Sequence, residues 1–338
     1  MRERTAEIRS HILHLCRDKI PNVASEAARH FGITKQAAAR HVHNLEADGL
    51  IQSTGSGNAK VSLLQSLVEK KWRFPKAGLR EDIVWRESIV PFLEDLPENA
   101  KNIWHYGITE MVNNAIDHSD GSTVTILLER TALDTTVSIT DDGEGIFHRI
   151  QRLMSLYDAR EAILELAKGK LTTDPANHTG EGIFFSSRAF DMFMIQSRHL
   201  FFMHRLEKKD WLIDGDVDVP GTRVILKLDN DCDRTLKSVM DEYAAPDEFN
   251  FSKTIVPVRL AKHEGEKLVS RSQAKRLVAR FEKFKTVVLD FDGVEEIGQA
   301  FADETFRVFA RSHPAVELIP INMTAAVQAM FLRALSAA

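Results

Sequence analysis

The sequence predicts a multi-domain α/β protein, and three observations support this fold class. The 338 residues exceed the size of one ordinary domain. Hydrophobic residues make up 43% of the chain, enough to build a core in each of several domains. After a helical start, helix patterns alternate with strand patterns of period two. Changes in composition divide the chain into residues 1–66, 67–230 and 231–338, the last of which begins with an acidic linker.

The charge balance and the cysteine content exclude several classes of protein. The chain has 44 Lys and Arg against 49 Asp and Glu, a net charge of -5, which argues against a protein that covers nucleic acid with its whole surface. Residues 1–66 nevertheless hold nine basic and six acidic residues, so this part carries +3 and the rest carries -8. Cys16 and Cys232 are the only cysteines, which excludes a disulfide scaffold. Because the first residues are too charged for a signal peptide and no apolar run is long enough to span a bilayer, we expect a cytoplasmic protein without membrane contact.

The first 66 residues show helices followed by a hairpin turn. Val23–Phe31 is predicted to be a short helix that stops at Gly32, and Thr34 is a suitable N-cap for a second helix over residues 35–47. The stretch STGSGNAK then separates two short strand patterns. Two helices joined by a glycine-containing turn and followed by such a hairpin resemble the winged helix-turn-helix domains of bacterial transcription regulators.

The resemblance implies that DNA is a partner of residues 1–66. Arg, Gln and Asn side chains on the second helix can pair with base edges in the major groove, and a lysine in the hairpin can meet a phosphate. Because winged helices often read paired half-sites, a homodimer would suit this use. The alternative is a domain that serves only for dimerisation or protein contact. The candidate DNA-binding residues are Lys35, Gln36, Arg40, His43, Asn44 and Lys60.

The central segment contains four motifs in a fixed order. ITEMVNNAIDH places Glu110 and Asn114 four residues apart, which puts them on one face of a helix. The second motif, DDGEG, ends a predicted strand. HTGEG follows further along the chain, and VPGT directly precedes another strand. Each motif alone is a weak signal, because short acidic or glycine-rich stretches are usually simple turns.

Together these motifs resemble the N box, the two glycine boxes and the final Gly-Thr of the GHKL ATPases. That superfamily groups DNA gyrase, the ninety-kilodalton heat-shock chaperone, histidine kinases and the mismatch-repair ATPases. The resemblance covers about residues 80–230. It implies the Bergerat α/β sandwich, with helices on one face of a mixed sheet. It also implies that ATP and Mg²⁺ are bound between the helices and a mobile lid at about residues 147–179.

The resemblance also assigns roles to individual residues. Asn114 would coordinate Mg²⁺, Glu110 would orient or deprotonate an attacking water, and Asp141 would accept a hydrogen bond from the adenine amino group. Two lid lysines, Lys168 and Lys170, are expected to reach phosphate. The remaining candidates for binding ATP are Asp117, Gly143, Gly145, Thr179, Gly180, Gly182 and Thr222.

Three activities remain open at this point. The first is an ATP-dependent regulator whose slow hydrolysis resets a DNA-binding or protein-binding surface. The second is a protein serine/threonine kinase of the anti-sigma-factor type, which shares a similar Glu-x-x-x-Asn box. The third is a nucleotide-binding switch without turnover. A conventional sensor histidine kinase is disfavoured, because His105 lies inside the motif helix and not on a separate helix upstream.

The C-terminal block again alternates strands and helices. Strands are predicted at residues 254–261 and in TVVLDFDGV and VELIPINM, and helices at residues 270–284, 299–313 and 324–337. This block resembles the STAS fold of anti-sigma-factor antagonists and the STAS-like domains that follow GHKL modules. In the antagonists a phosphate-accepting serine follows the strand, whereas residues 297–300 here contain no hydroxyl group. We therefore expect this domain to contact an unknown protein partner or to regulate the neighbouring ATPase.

Overall fold

Three helices and a two-stranded hairpin form the N-terminal part of the chain. The computed structural model describes residues 2–55, 60–171, 180–206, 211–244, 251–262 and 266–336. Helices α1 (Arg2–Arg17), α2 (Val23–Phe31) and α3 (Lys35–Ala47) precede strands β1 (Ile51–Thr54) and β2 (Val61–Leu64). The strands pair in antiparallel register, so the predicted order of helices and hairpin is confirmed.

Local capping and a separate core explain why this part folds as it does. The hydroxyl of Thr34 accepts a hydrogen bond from the N–H of Ala37 at 3.1 Å, which caps α3. Gly32 adopts a left-handed φ of 61° and ends α2. The inner faces of the helices form their own hydrophobic cluster. Arg17 joins this part to the central sheet through two hydrogen bonds of 2.9 Å to the Asp229 carboxylate.

A five-stranded antiparallel sheet forms the centre of the chain. Its strands are β3 (Val68–Pro75), β4 (Thr123–Arg130), β5 (Asp134–Asp141), β6 (Met192–Arg205) and β7 (Trp211–Asp229). They lie in the order β3-β4-β5-β7-β6. The resemblance implied a mixed sheet, but every pairing among the described strands of this sheet is antiparallel.

The charged stretch after residue 66 forms the edge strand β3. Val68, Trp72 and Phe74 pack against the core, while Lys71 and Arg73 between them are exposed. This alternation is the period of a strand with one buried face. An edge strand tolerates lysines and a proline, because one side of its backbone has no partner strand.

Helices cover one face of the five-stranded sheet. Of these helices, α5 (Glu98–His118), α6 (Ile146–Met154) and α8 (Gly182–Ala189) contact its strands. Helix α4 (Glu81–Ile83) packs against α5, and α7 (Glu161–Lys168) packs against α6 and α8. The longest, α5, contacts β4, β5 and β7. Val124, Ile126 and Leu128 alternate along β4 as fully buried residues, so this face of the sheet is the one that α5 covers. Burying such side chains contributes about 1.5–3 kcal/mol each.

The rest of the chain builds a smaller sheet of three parallel strands. The elements are α9 (Leu236–Glu242), β8 (Lys253–Pro257), α10 (Arg271–Val278), β9 (Thr286–Asp290), α11 (Gln299–Ala302), α12 (Ala310–Ser312), β10 (Glu317–Ile321) and α13 (Ala325–Ser336). The strand order is β10-β9-β8. We call residues 251–336 the C-terminal segment.

Three C-terminal elements differ from the sequence prediction, two in extent and one in helix type. The strand predicted at residues 254–261 ends at Pro257 and continues as a 3-10 turn. The helix predicted at residues 270–284 ends at Val278, because Arg280 turns the chain with a φ of 67°. The helix predicted at residues 299–313 contains a π-helical stretch, Asp303–Phe309. The acidic stretch at the start of residues 231–338, predicted to be a linker, contains helix α9.

The central part and the C-terminal segment share one hydrophobic core. Phe184 of α8 packs against Phe251 with ring centroids 4.4 Å apart, and Phe251 in turn contacts Phe284 at a centroid distance of 5.3 Å. The two parts are therefore packed together and not merely tethered. Within the described ranges, none of the helices combines the length and the apolar character needed to cross a membrane.

Candidate functional site

A cavity of about 450 Å³ lies between α5, α6, α8 and the adjoining strands of the central sheet. Residues from all four sequence motifs line it. The predicted site residues among them are Glu110, Asn114, Asp141, Gly145, Gly180, Gly182 and Thr222. Positions more than a hundred residues apart in the chain thus meet around one space.

Helix α5 contributes a carboxylate and an amide to the cavity. Glu110 and Asn114 are four residues apart and therefore lie one turn apart on the same face. Both side chains are half-buried. A Cβ atom on Gly182 would overlap the Glu110 carboxylate, so the absence of a side chain lets α8 begin directly against Glu110. The cavity therefore holds an acidic group beside the start of a helix.

Strand β5 ends in a buried carboxylate. Asp141 is 7% exposed. Its Oδ1 atom accepts hydrogen bonds from the N–H of Gly143 at 2.9 Å and the N–H of Thr222 at 3.3 Å. Burial raises the pKa of Asp141 above its ordinary value, although these hydrogen bonds oppose the shift. A carboxylate in this setting is costly for the fold and well suited to accept a donor from a ligand.

Thr222 and two glycines bring β7 and the start of α6 close to Asp141. The Thr222 hydroxyl accepts a hydrogen bond from the N–H of Ile146 at 3.0 Å. Gly145 immediately precedes α6 with a φ of 94°, a conformation that L side chains rarely adopt. A Cβ atom on Gly143 would overlap the carbonyl oxygen of Ser119. The glycines of this motif are thus required by backbone contacts that a side chain would block.

The N-terminus of α8 faces the cavity without a side-chain cap. Gly182 and Ile183, its first two residues, both line the cavity, and Glu181 before them forms no capping hydrogen bond through its side chain. The first N–H groups of a helix have no intrahelical partner and carry partial positive charge. Gly180 also lines the cavity, and its carbonyl oxygen accepts a hydrogen bond from Leu171 at 3.2 Å.

The structure does not bring every predicted residue to the cavity. Asp117 is exposed and is not among the lining residues. Gly143 contributes through its hydrogen bond to Asp141 and does not line the cavity itself. Thr179 lies outside the described residues. Lys168 and Lys170 point to the C-terminal segment, since their ammonium groups donate to carbonyl oxygens there.

Arg149 is a cavity residue that the sequence analysis missed. Its guanidinium group pairs with Asp120 at 2.7 Å and with Glu144 at 3.2 Å, and its side chain is 19% exposed. It lies on α6 with Ile146 and Ile150, which also line the cavity. The i, i+3, i+4 spacing of these three residues was the available signal.

The apolar walls were also missed, although a strand period predicts them. Ile139 precedes Asp141 by two residues and Val224 follows Thr222 by two, so each pair shares one face of its strand. Ile139 and Val224 are both buried. Met111 and Leu166 add further apolar surface. The cavity therefore has apolar walls with polar groups at a few points, which is typical of small-molecule sites.

The donor set limits which metal the cavity could hold. Among the residues that the structure describes, no three His, Cys, Asp or Glu side chains come together in a way that could bind a metal ion. The Asn114 amide and the Glu110 carboxylate offer oxygen ligands only. Such a set fits a hard cation that keeps waters and takes most of its ligands from a phosphate-bearing partner, as Mg²⁺ does.

The predicted DNA-binding residues lie mainly on one exposed face of α3. Ala38, Val42 and Leu45 are buried on the opposite face. Lys60 is half-buried, and its ammonium group pairs with Glu46 at 3.3 Å. The exposed predicted residues are Lys35, Gln36, Arg40, His43 and Asn44.

Comparison with known proteins identifies part of the C-terminal segment. A family model described as "STAS-like domain of unknown function (DUF4325)" matches residues 273–328. No curated protein matches the chain. The resemblance of the C-terminal block to STAS-like domains is thereby confirmed for these residues. The chain is a mixed α/β protein of several parts, and its C-terminal part contains a STAS-like domain.

Proposed function

We propose that the chain is an ATP-dependent regulator whose cavity is a GHKL-type nucleotide site of the Bergerat fold. The observation that carries this proposal is the convergence of four separate motifs on one cavity through Glu110, Asn114, Asp141, Gly182 and Thr222. One such motif arises easily by chance. Four that meet in space, each with a side chain or backbone group suited to its role, are far less easily explained by turns and solvated helix faces.

The base of the nucleotide would lie between the apolar walls near Asp141. Because two backbone N–H groups engage Oδ1 of Asp141, its Oδ2 atom can accept the exocyclic amino group of adenine. Ile139 and Val224 offer apolar surface to the flat ring. The N–H groups at the start of α8 would hold the phosphates, since a helix N-terminus favours anions and Gly182 lets the backbone approach closely.

Hydrolysis would depend on the two polar residues of α5. The Asn114 amide oxygen would hold Mg²⁺ that is shared with the phosphates. Mg²⁺ would supply charge neutralisation to the terminal phosphoryl group. Glu110, one turn earlier, would orient a water for in-line attack on the terminal phosphorus and take its proton as the bond from that phosphorus to the departing ADP breaks.

Calorimetric titration with Mg²⁺ and ATP tests the nucleotide site. We expect one binding event per chain in the wild type, and a loss of affinity of about a hundredfold in Asp141→Asn, since a hydrogen bond to a charged group contributes about 1.5–3 kcal/mol. Asp142→Asn is the matched control, because Asp142 is exposed and its oxygens accept from Ser122 and Thr123, away from the cavity. Wild-type protein without any binding heat would refute the proposal.

The kinase alternative separates from hydrolysis by the fate of the terminal phosphate. In the proposed hydrolase, γ-labelled ATP releases free phosphate. Label on a protein would instead indicate an anti-sigma-type kinase. Residues 297–300, where the antagonists carry the acceptor, contain no hydroxyl group, so a kinase would have to phosphorylate a protein elsewhere and not this loop.

We also propose that residues 1–66 form a winged helix-turn-helix domain that binds DNA through α3. The exposed face with Arg40 and Asn44, opposite the buried face with Val42, supports this use. Arg40→Ala should weaken binding to a target DNA, whereas Arg29→Ala on α2, where Arg29 pairs with Glu26, should not. Equal DNA binding by both variants and the wild type would remove α3 from the recognition surface.

A further inference from the structure

Helix α7 has two functional faces. All eight of its residues are buried. Leu166 lines the cavity, as does Leu171 three residues after the helix ends. Glu161, Glu165 and Lys168 instead face the C-terminal segment. One short helix therefore forms a wall of the cavity on one side and an interface on the other.

The interface is made of paired buried charges. Glu161 pairs with Arg276 at 2.5 Å, and Glu165 pairs with both Arg280 and Lys168 at 2.6 Å. We call these five residues the α7 ion cluster. The Lys168 side chain is 0% exposed, and its Nζ atom also donates to the carbonyl oxygens of Arg276 at 2.8 Å and of Ala279 at 3.0 Å. Each of the three N–H groups of this ammonium therefore has an acceptor.

Additional hydrogen bonds join the end of α7 to the C-terminal segment. The carbonyl oxygen of Lys168 accepts a hydrogen bond from the buried Thr254 hydroxyl at 2.8 Å. Arg280 donates to the carbonyl oxygen of Gly169 at 2.7 Å, and it does so from a left-handed backbone conformation with a φ of 67°. A non-glycine residue adopts that conformation at an energetic cost.

Buried charges of this kind resist partial displacement. If α7 slid along α10, Lys168 and Glu165 would each lose a partner in surroundings of low dielectric, which is strongly unfavourable. The wall of the cavity and the C-terminal segment are therefore expected to move together or not at all. By contrast, an apolar contact could slide gradually.

We propose that the α7 ion cluster makes the C-terminal segment a built-in regulatory partner of the cavity, so that occupation of the cavity by nucleotide and the state of the STAS-like domain control each other. This inference rests on the proposed nucleotide site. Because coupling between two sites is reciprocal, a protein bound to the STAS-like domain would change nucleotide affinity by the same factor by which nucleotide changes the affinity for that protein.

Hydrogen–deuterium exchange on the full chain tests the coupling, with Mg²⁺ and a non-hydrolysable ATP analogue as the probe. In the wild type we expect the analogue to slow exchange around the cavity and also, by about fivefold or more, in residues 271–290. In Arg280→Met the analogue should still protect the cavity but no longer residues 271–290. This variant should fold, because Glu165 with Lys168 and Glu161 with Arg276 remain as balanced pairs.

Lys275→Met is the matched control, since it removes one positive charge from an exposed position of the same helix, α10. It should behave as the wild type. Arg276→Met breaks the cluster at the other end of α7 and should reduce the transmitted protection as well. The coupling would be overturned if the analogue did not slow exchange in residues 271–290 of the wild type. It would also be overturned if the analogue slowed exchange there equally in the wild type and in both cluster variants. Either result would leave the nucleotide site intact. Absence of any nucleotide binding in calorimetry would overturn the proposed function and the coupling with it.

Discussion

The cavity and the α7 ion cluster lie on opposite sides of one helix, and they differ in how their polar groups are paired. In the cluster, Lys168 meets three acceptors and Glu165 meets two cations. In the cavity, Asp141 has backbone donors on one oxygen, and burial raises its pKa. The cluster is satisfied by the protein itself, whereas the cavity carboxylate is held at a cost to the fold.

This difference separates polar groups that stabilise the fold from polar groups that are available to a ligand. Burial lowers the pKa of Lys168 and the Glu165 carboxylate opposes this shift, which together leave a pKa of about 8. The three acceptors around its Nζ atom favour the protonated form. A removed cluster charge should therefore lower stability. A removed cavity charge should instead lower binding or turnover with little loss of stability. The following variants test this contrast.

The largest expected effect is on folding, from Glu165→Met. The substitution leaves Lys168 and Arg280 buried together without a carboxylate, and breaking such a buried pair costs about 3–5 kcal/mol. Urea unfolding measures it as a lower midpoint with an unchanged slope. The exposed Glu295 serves as control, and Glu295→Met should stay within about 0.5 kcal/mol of the wild type. Equal stability of both variants would mean that the cluster contributes no net stabilisation.

The next effect is on turnover, from Glu110→Gln. If Glu110 takes the proton of the attacking water, the amide should lower phosphate release about a hundredfold while Mg²⁺-ATP still binds. Unfolding by urea should be nearly unchanged, because Glu110 faces the cavity and not the shared core. Phosphate release at saturating ATP, measured beside calorimetry, separates the two effects. Retained turnover with retained binding would remove Glu110 from the chemistry and favour a nucleotide switch.

Local spacing explains which site residues could be predicted from sequence. Glu110 and Asn114 share a face because they are one helical turn apart. The positions of Ile139 and Val224 follow from the strand period in the same way, although they were not identified in advance. Short motifs carry this information because their geometry depends only on neighbouring residues.

Long-range pairing explains what could not be predicted. Lys168 was expected to reach phosphate, yet it donates to the carbonyl oxygen of Arg276, 108 residues later in the chain. Nothing in the residues around Lys168 indicates that partner. The early end of α10 has the same origin, since Arg280 leaves the helix to meet Glu165 and Gly169. Edge strand β3 is equally hard to predict, because its lysines and proline are typical of loops as well as of sheet edges.

The smallest expected effect is a pH dependence of stability in Asp141→Asn. Because burial raises the pKa of Asp141, the folded protein holds this proton more tightly than the unfolded chain does. The stabilisation from this group is therefore complete below the unfolded pKa and is lost as pH rises through the folded pKa. The asparagine variant avoids that loss and should be at least as stable as the wild type at pH 7, with the difference shrinking below about pH 4.

The neighbouring aspartate should show the opposite sign. Hydrogen bonds from Ser122 and Thr123 lower the pKa of Asp142. The stabilisation that the Asp142 carboxylate contributes is therefore present above the pKa of the unfolded chain and is lost as pH falls through the folded pKa. Asp142→Asn should for this reason reduce stability at pH 7. The midpoints of urea unfolding, measured at pH 7 and below about pH 4, compare the two variants directly. If Asp141→Asn were destabilising at pH 7 as Asp142→Asn is, the Asp141 carboxylate would be part of the scaffold, and the contrast between cavity and cluster would fail at its central residue.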